Sequence, residues 1–99
     1  MSQVTIFLAP VSIAHQFYFT QDQDALAYAN IHLYKEAASF FTNLDDEKAA
    51  EEAFDLTNNP NRQEERGRLY GRGRSVSVGD VVQVNRAMYL CKSCGWERI

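Results

Sequence analysis

The spacing of apolar residues changes from one segment of the chain to the next. β-branched and aromatic residues fill positions 3–9 and stop before Pro10, which is typical of a strand because proline cannot donate to a β-ladder. Between about 21 and 42, apolar residues recur at steps of three and four, which predicts a helix with Thr20 as its N-cap. The segment 13–19 alternates poorly, and a short strand or a loop packed on the core both fit it.

The middle of the chain predicts a second helix followed by a loop. A turn at 42–46 leads into this helix, which has small and apolar residues on one side, and Asn58-Asn59-Pro60-Asn61 ends it. Residues 61–74 hold five arginines and few apolar side chains, which predicts a flexible surface loop. Within the first predicted helix, three of the five residues 30–34 are poor helix formers, so a break there stays open.

Valine-rich and aromatic runs predict an antiparallel meander of three strands at 76–84, 87–92 and 95–99. With 99 residues, one core suffices, and residues 1–99 are predicted to form a single α+β domain. We expect the N-terminal strand to pair with the meander, so that the two helices cover one face of a sheet of about four strands. No apolar run approaches the roughly 20 residues of a membrane span, and a cytoplasmic protein without membrane contact is expected.

The net charge of −3 conceals a division between the two parts of the chain. Residues 1–60 carry two bases and nine acids, whereas residues 61–99 carry eight bases and four acids. The acidic side of the second helix fits a docking site for a basic partner, a mimic of nucleic-acid phosphates or an ordinary solvated face. The arginines fit phosphate contacts or a solvated loop that neutralises the helix. The predicted partner-binding residues are Glu47, Glu51, Glu52, Asp55, Arg66, Arg68, Arg72 and Arg74.

The chain has two cysteines, in the motif Cys91-Lys-Ser-Cys94-Gly95, which is half of a zinc knuckle. Tetrahedral zinc needs four ligands, and no second pair of cysteines exists. His15 and His32 lie far upstream without a characteristic spacing, and a site shared across a dimer is the other route to four ligands. Cys91 and Cys94 are therefore predicted to be structural or partly exposed thiols, and no cofactor is expected.

Candidates for catalysis are few. His15 and His32 stand alone, and no motif indicates a nucleophile or a pair of acid–base carboxylates, so an enzyme is not expected. The aromatic residues are numerous, and most are predicted to lie in the core. If Phe17 or Phe19 is exposed together with Tyr28, Tyr34 or Tyr70, these side chains would form a binding patch.

The C-terminal half carries a resemblance to known proteins. Residues 74–84 read R-S-V-S-V-G-D-V-V-Q-V and are followed by Y-L-C at 89–91 and G-W at 95–96, with A-F-D-L-T-N at 53–58 before them. Together they resemble small uncharacterised proteins of bacteriophages, plasmids and mobile elements, and are similar to the YodL-like domain. The resemblance covers roughly residues 47–99 and implies a structural unit without an assigned chemistry. In that family the position of Cys94 is not reliably a cysteine, which disfavours zinc.

The resemblance implies a small accessory protein of a phage or mobile element. By association alone, such proteins include stoichiometric inhibitors of host defence systems of the restriction or CRISPR type. The sequence therefore predicts a non-enzymatic accessory factor that binds a host or phage protein. The alternative is a nucleic-acid-binding module that uses the arginine-rich loop, with or without zinc at Cys91 and Cys94.

Overall fold

A five-stranded antiparallel sheet, in the order β2-β1-β3-β4-β5, forms the centre of the computed structural model, which describes residues 1–99. The strands are β1 (Ser2–Leu8), β2 (Lys35–Thr42), β3 (Val81–Val84), β4 (Ala87–Lys92) and β5 (Gly95–Arg98). The helices are α1 (Val11–Ala14), α2 (Gln23–Asn30), α3 (Asp46–Asn58) and α4 (Gln63–Leu69), with short 3₁₀ turns at His15–Tyr18, Ile31–Leu33 and Pro60–Arg62. No helix is both long enough and apolar enough to span a membrane.

The α+β class is confirmed, as are the N-terminal strand and its antiparallel pairing with the meander through β3. The second helix is also confirmed, because α3 ends at Asn58 as the Asn and Pro residues predict. The first meander strand is shorter than predicted and comprises Val81–Val84 only. Residues 76–80 instead form an irregular segment held by side-chain hydrogen bonds, which are described below.

The predicted helix over 21–42 is wrong beyond Asn30. The chain leaves the helix in the 3₁₀ turn at Ile31–Leu33, within the stretch 30–34 where the poor helix formers allow a break. Lys35–Thr42 then forms β2. Pairing with β1 places Phe40 beside Val4 in the core and leaves Phe41 exposed. Spacing alone could not separate the two structures. Residues 35–38 are good helix formers, and tertiary pairing outweighs this local preference.

Two other segments contain helices that the sequence pattern did not predict. Residues 13–19 lie in α1 and the following 3₁₀ turn rather than in a strand or loop. The predicted flexible loop at 61–74 contains the last part of a 3₁₀ turn and the whole of α4. Three of its five arginines, Arg62, Arg66 and Arg74, are held by carboxylates and carbonyls of the same chain, and these contacts support a helix in a segment with few apolar residues.

Helices lie on both faces of the sheet, rather than on one face as predicted. The alanines of α3 and Leu56 are buried against one face, whose strands contribute Val4, Ile6 and Val82. The segment 11–34 covers part of the other face, where Phe17, Ala27 and Tyr34 pack on Val81 and Leu90. Adjacent valines at 81 and 82 serve the two cores because successive side chains of a strand point to opposite faces.

Candidate interaction surface

The acidic side of α3 is partly neutralised within the molecule. Arg62 donates through Nη1 to Glu52 Oε1 at 2.6 Å and to Asp55 Oδ2 at 2.8 Å, and these bonds raise the pKa of Arg62 above its ordinary value. Glu51 accepts a hydrogen bond from Trp96 Nε1 at 2.8 Å. Only Glu47, of the four predicted acidic contact residues, is exposed without a hydrogen-bond or ion-pair partner. Nothing in the spacing of Arg62 along the sequence marks it as the partner of these acids.

Two of the four predicted arginine contacts are likewise engaged. The guanidinium of Arg66 donates to the carbonyls of Thr57 at 3.2 Å and Gly71 at 2.7 Å, and it lies 5.0 Å from the centre of the Tyr70 ring. Arg74 binds Asp80, as described next. Arg68 and Arg72 are exposed and make no side-chain hydrogen bond or ion pair. The segment predicted as a basic loop therefore contains a helix, α4, and Arg66 and Arg74 are bound within the chain.

The R-S-V-S-V-G-D motif at 74–80 forms a hydrogen-bond network around a buried carboxylate. Asp80 is 1% exposed and accepts from the backbone N–H groups of Ala9 and Ser77, both at 2.8 Å. Arg74 donates to both oxygens of Asp80, at 2.5 and 2.7 Å, and to the carbonyl of Ala9 at 2.9 Å. Because its donors come from 9, 74 and 77, the carboxylate ties the end of β1 to the segment that leads into β3.

The same motif also reaches α3 and the start of β2. Ser75 Oγ donates to the Thr57 carbonyl at 2.6 Å, and Thr57 Oγ1 accepts from the Val76 N–H at 3.0 Å. Tyr34 Oη donates to the Gly79 carbonyl at 2.6 Å, and its burial raises its pKa above the ordinary value. The motif at 74–80 therefore has a structural role.

The two cysteines occupy different environments. Cys91 is buried against α3, and this burial raises its pKa to about 12, whereas Cys94 lies exposed in the β4–β5 turn. No group of three or more His, Cys, Asp and Glu side chains is arranged to hold a metal ion. The chain thus provides two separate thiols rather than a four-ligand set.

Alkylation distinguishes these two thiols. We expect iodoacetamide at about pH 8 to modify Cys94 in the native protein and to leave Cys91 unmodified, because the thiolate is the reactive form and Cys91 is buried and protonated. Mass spectrometry should show one added group in buffer and two in denaturant. The variant Cys94→Ser should take up none in buffer. Equal rates for both thiols would contradict the buried position of Cys91.

Large apolar side chains are exposed together on one helical segment. Of the eight exposed large hydrophobic residues, five lie between positions 11 and 33. We call this set the α1–α2 apolar surface, and its members are Val11, Tyr18, Phe19, Tyr28 and Leu33. Phe19 is 89% and Tyr28 75% exposed, whereas Phe17, Tyr34 and Tyr70 are buried. Of the aromatic residues considered for a binding patch, Phe19 and Tyr28 are therefore the ones that are accessible to a partner.

The local structure explains why these rings face water. Phe17 is 1% exposed and lies against Gly79, and its neighbours Tyr18 and Phe19 project from the same turn into solvent. Asp22 then caps α2 by accepting from the Ala25 N–H at 3.2 Å. On α2, Tyr28 lines an open groove of about 420 Å³ with two small side chains and the C-terminal residues Arg98 and Ile99.

The segment that carries this surface has acidic residues of its own but no lysine or arginine. Between positions 11 and 34 the chain has two acids, Asp22 and Asp24, and no lysine or arginine. Asp24 is paired with Lys92 at 3.0 Å, whereas Asp22 serves as the helix cap. His15 and His32 are exposed on the same segment and form no hydrogen bond or ion pair.

Comparison of this chain with protein-family models, curated proteins and solved structures finds no match in any of the three. The resemblance of residues 47–99 to phage and mobile-element proteins therefore stays a prediction. The exposed residues described above are therefore the basis for a functional proposal.

Proposed function

We propose that this protein is a non-catalytic protein-binding module whose contact surface is the α1–α2 apolar surface. The observation that carries the proposal is the exposure of Phe19 and Tyr18 beside the buried Phe17. Aromatic side chains are the commonest anchors of protein interfaces, since they bury a large area with few rotatable bonds. The fold holds this turn in place through Phe17, so that the two exposed rings are presented on a supported segment.

Most of the charged residues that the sequence predicts as partner contacts are not part of the proposed contact surface. Glu51, Glu52, Asp55, Arg66 and Arg74 already have partners within the chain, and withdrawing them would leave buried or half-buried groups unpaired. A complementary partner has an apolar pocket for Phe19, surrounded by a polar rim. A nucleic-acid partner would depend mainly on Arg68 and Arg72, the two candidate arginines that remain free.

A narrower form of the proposal is that the protein is an accessory factor of a phage or mobile element and inhibits a host defence system by stoichiometric binding. The resemblance of residues 47–99 supports this form. It predicts that the partner is a host defence protein, and that expression of this chain protects an infecting phage. A partner outside any defence system would leave the binding module in place and remove the narrower form.

Binding through Phe19 is tested by photo-crosslinking followed by affinity measurement. A photoreactive phenylalanine at position 19 should cross-link the partner, whereas the same residue at the exposed position 63 on α4 should not. With the partner purified, Phe19→Ala should weaken binding by about 10- to 100-fold, as expected for an interface anchor. Phe41→Ala, an equally large truncation on another surface, should leave the affinity unchanged. Wild-type affinity in Phe19→Ala would contradict the proposal.

A further inference from the structure

Strand β2 lies at one edge of the sheet, and some of its backbone N–H and C=O groups point away from the sheet. Asn85 donates its N–H to the Gln3 carbonyl, so the odd-numbered residues of β1 direct their backbone groups toward β3. The even-numbered residues of β1 therefore bond β2, where Val4 is opposite Phe40 and Ser2 opposite Thr42. It follows that the N–H and C=O groups of Ser39 and Phe41 point outward from the sheet.

Beyond the β-bulge that shifts the pairing with β1 between Ile6 and Phe7, the regular part of this edge has few of the features that usually prevent strands from pairing with another chain. Residues 37–43 read A-A-S-F-F-T-N, with no charge and no proline, and Phe41 is 66% exposed. Two more exposed apolar residues, Met1 and Leu44, lie at the same end of β2. Natural edge strands are generally short, charged or covered. The opposite edge fits that description, because β5 has four residues and Glu97 is paired there with Lys92.

We propose that β2 pairs in antiparallel fashion with β2 of a second copy, about a two-fold axis through Phe40, and that the protein is a homodimer with one continuous sheet. In this register Ser39 lies opposite Phe41 of the second copy. Both residues have outward backbone groups, so they exchange N–H···O=C bonds on each side of the axis. The small side chain of Ser39 leaves room for the opposing Phe41 ring on the same face of the sheet.

Charge complementarity supports this occupant. Antiparallel pairing about Phe40 brings the Lys35 end of β2 next to the other end of β2 in the second copy, where Asp45 and Asp46 follow the strand, and symmetry repeats this arrangement. Lys35 has no ion-pair partner within its own chain. Asp45 accepts only from Ser2 Oγ among side-chain donors, at 2.8 Å, and therefore has a free oxygen.

Disulfide trapping tests the register directly. In a Cys94→Ser background, the variants Ser39→Cys and Phe41→Cys are purified separately and then mixed under mild oxidation. We expect the mixture to form the Ser39→Cys/Phe41→Cys cross-link, because these positions are directly opposed. Each variant alone should cross-link poorly, since its two copies of the cysteine are diagonal neighbours. Cross-linking of each variant with itself, at the rate of the mixture or faster, would overturn the register.

The dimer itself is tested by sedimentation equilibrium of the full chain. We expect a monomer–dimer equilibrium that Phe41→Lys weakens by about tenfold or more, because it places a charge on the outer edge. Ser39→Pro should weaken it too, since it removes an outward N–H that β1 does not use. Gln3→Lys adds the same charge to the same face on an inner strand, and should leave the equilibrium unchanged. Circular dichroism checks that each variant is folded.

Three results would overturn the proposal: a monomer up to high micromolar concentration, an open-ended polymer, or a dimer that Phe41→Lys and Ser39→Pro leave intact. The proposal is independent of the partner surface. Phe19→Ala should keep the dimer and lose the partner, whereas Phe41→Lys should do the reverse.

Discussion

Replacing Asp80 with alanine is expected to lower the free energy of unfolding by about 3 to 5 kcal/mol, because it leaves buried donors without an acceptor. The carboxylate is 1% exposed and accepts from the backbone of Ala9 and Ser77 as well as from Arg74. Without it, two N–H groups and a guanidinium lose their partner at once. Domains of this size have a stability of only about 5 to 15 kcal/mol. The variant should therefore be close to unfolded at 37 °C.

Urea unfolding followed by circular dichroism and by the fluorescence of the single tryptophan, Trp96, measures this loss. Asp80→Asn should be intermediate, because the amide oxygen still accepts one backbone bond while the ion pair is lost. Arg72→Ala removes a larger charged side chain from an exposed position and should change stability by less than about 0.5 kcal/mol. If Asp80→Ala were no less stable than Arg72→Ala, the network would not hold the fold together.

Substitution of Gly79 by alanine is expected to lower the free energy of unfolding by about 3 kcal/mol. Gly79 has a φ of +95°, and a Cβ atom there would lie 2.5 Å from Cδ2 of the Phe17 ring. The left-handed backbone costs an L-residue about 1 to 2 kcal/mol, and forcing Phe17 out of its buried site adds a further 1 to 3 kcal/mol. Two further ring atoms, Cγ at 2.8 Å and Cε2 at 2.9 Å, are also too close, so a small rotation does not relieve the clash.

Other glycines of the chain separate the two causes. Gly71 has a similar φ of +88° but nothing within 4 Å of an added Cβ, so Gly71→Ala should show the backbone cost alone. Gly67 lies within α4 with open space around it, and Gly67→Ala should stabilise the helix by up to about 1 kcal/mol. Equal losses for Gly79→Ala and Gly71→Ala in the same urea experiment would show that the Phe17 contact costs nothing.

Both substitutions act on the segment that supports the proposed contact surface. Asp80 holds the backbone of Ala9 just before α1, and Gly79 lies beneath Phe17, next to Tyr18 and Phe19. The family resemblance and the proposed function thus concern different residues of one structure. The motif at 74–80 builds the support, and the exposed rings at 18 and 19 make the contact.

Several parts of this protein could be predicted from local sequence. The alanines of α3 recur at helical steps and Pro60 cannot continue a helix, so the sequence alone predicts both the helix and its end. The runs of β4 and β5 are separated by short turns, and consecutive strands of this kind pair as neighbours. The pairing of β1 with the meander, through β3, also agrees with the prediction from the sequence.

Other features were decided only by tertiary structure. Lys35–Thr42 has a pattern that fits both a helix and a strand, and its pairing with β1 selects the strand. Phe17 and Phe19 are the same residue type two positions apart, and only the space above Gly79 determines which one is buried. The acids of α3 and the arginines that follow are separated charges in the sequence, but the fold joins several of them into pairs.

The charge division that the sequence shows is real, yet most of the charges predicted to contact a partner are used within the chain. Sequence records how many charged groups exist and at what spacing along one element. It does not record distances between elements, and a hydrogen bond or ion pair depends on those distances. Local periodicity was thus sufficient for the fold class, whereas the surfaces available to a partner depended on how α4, the motif at 74–80 and β2 come together.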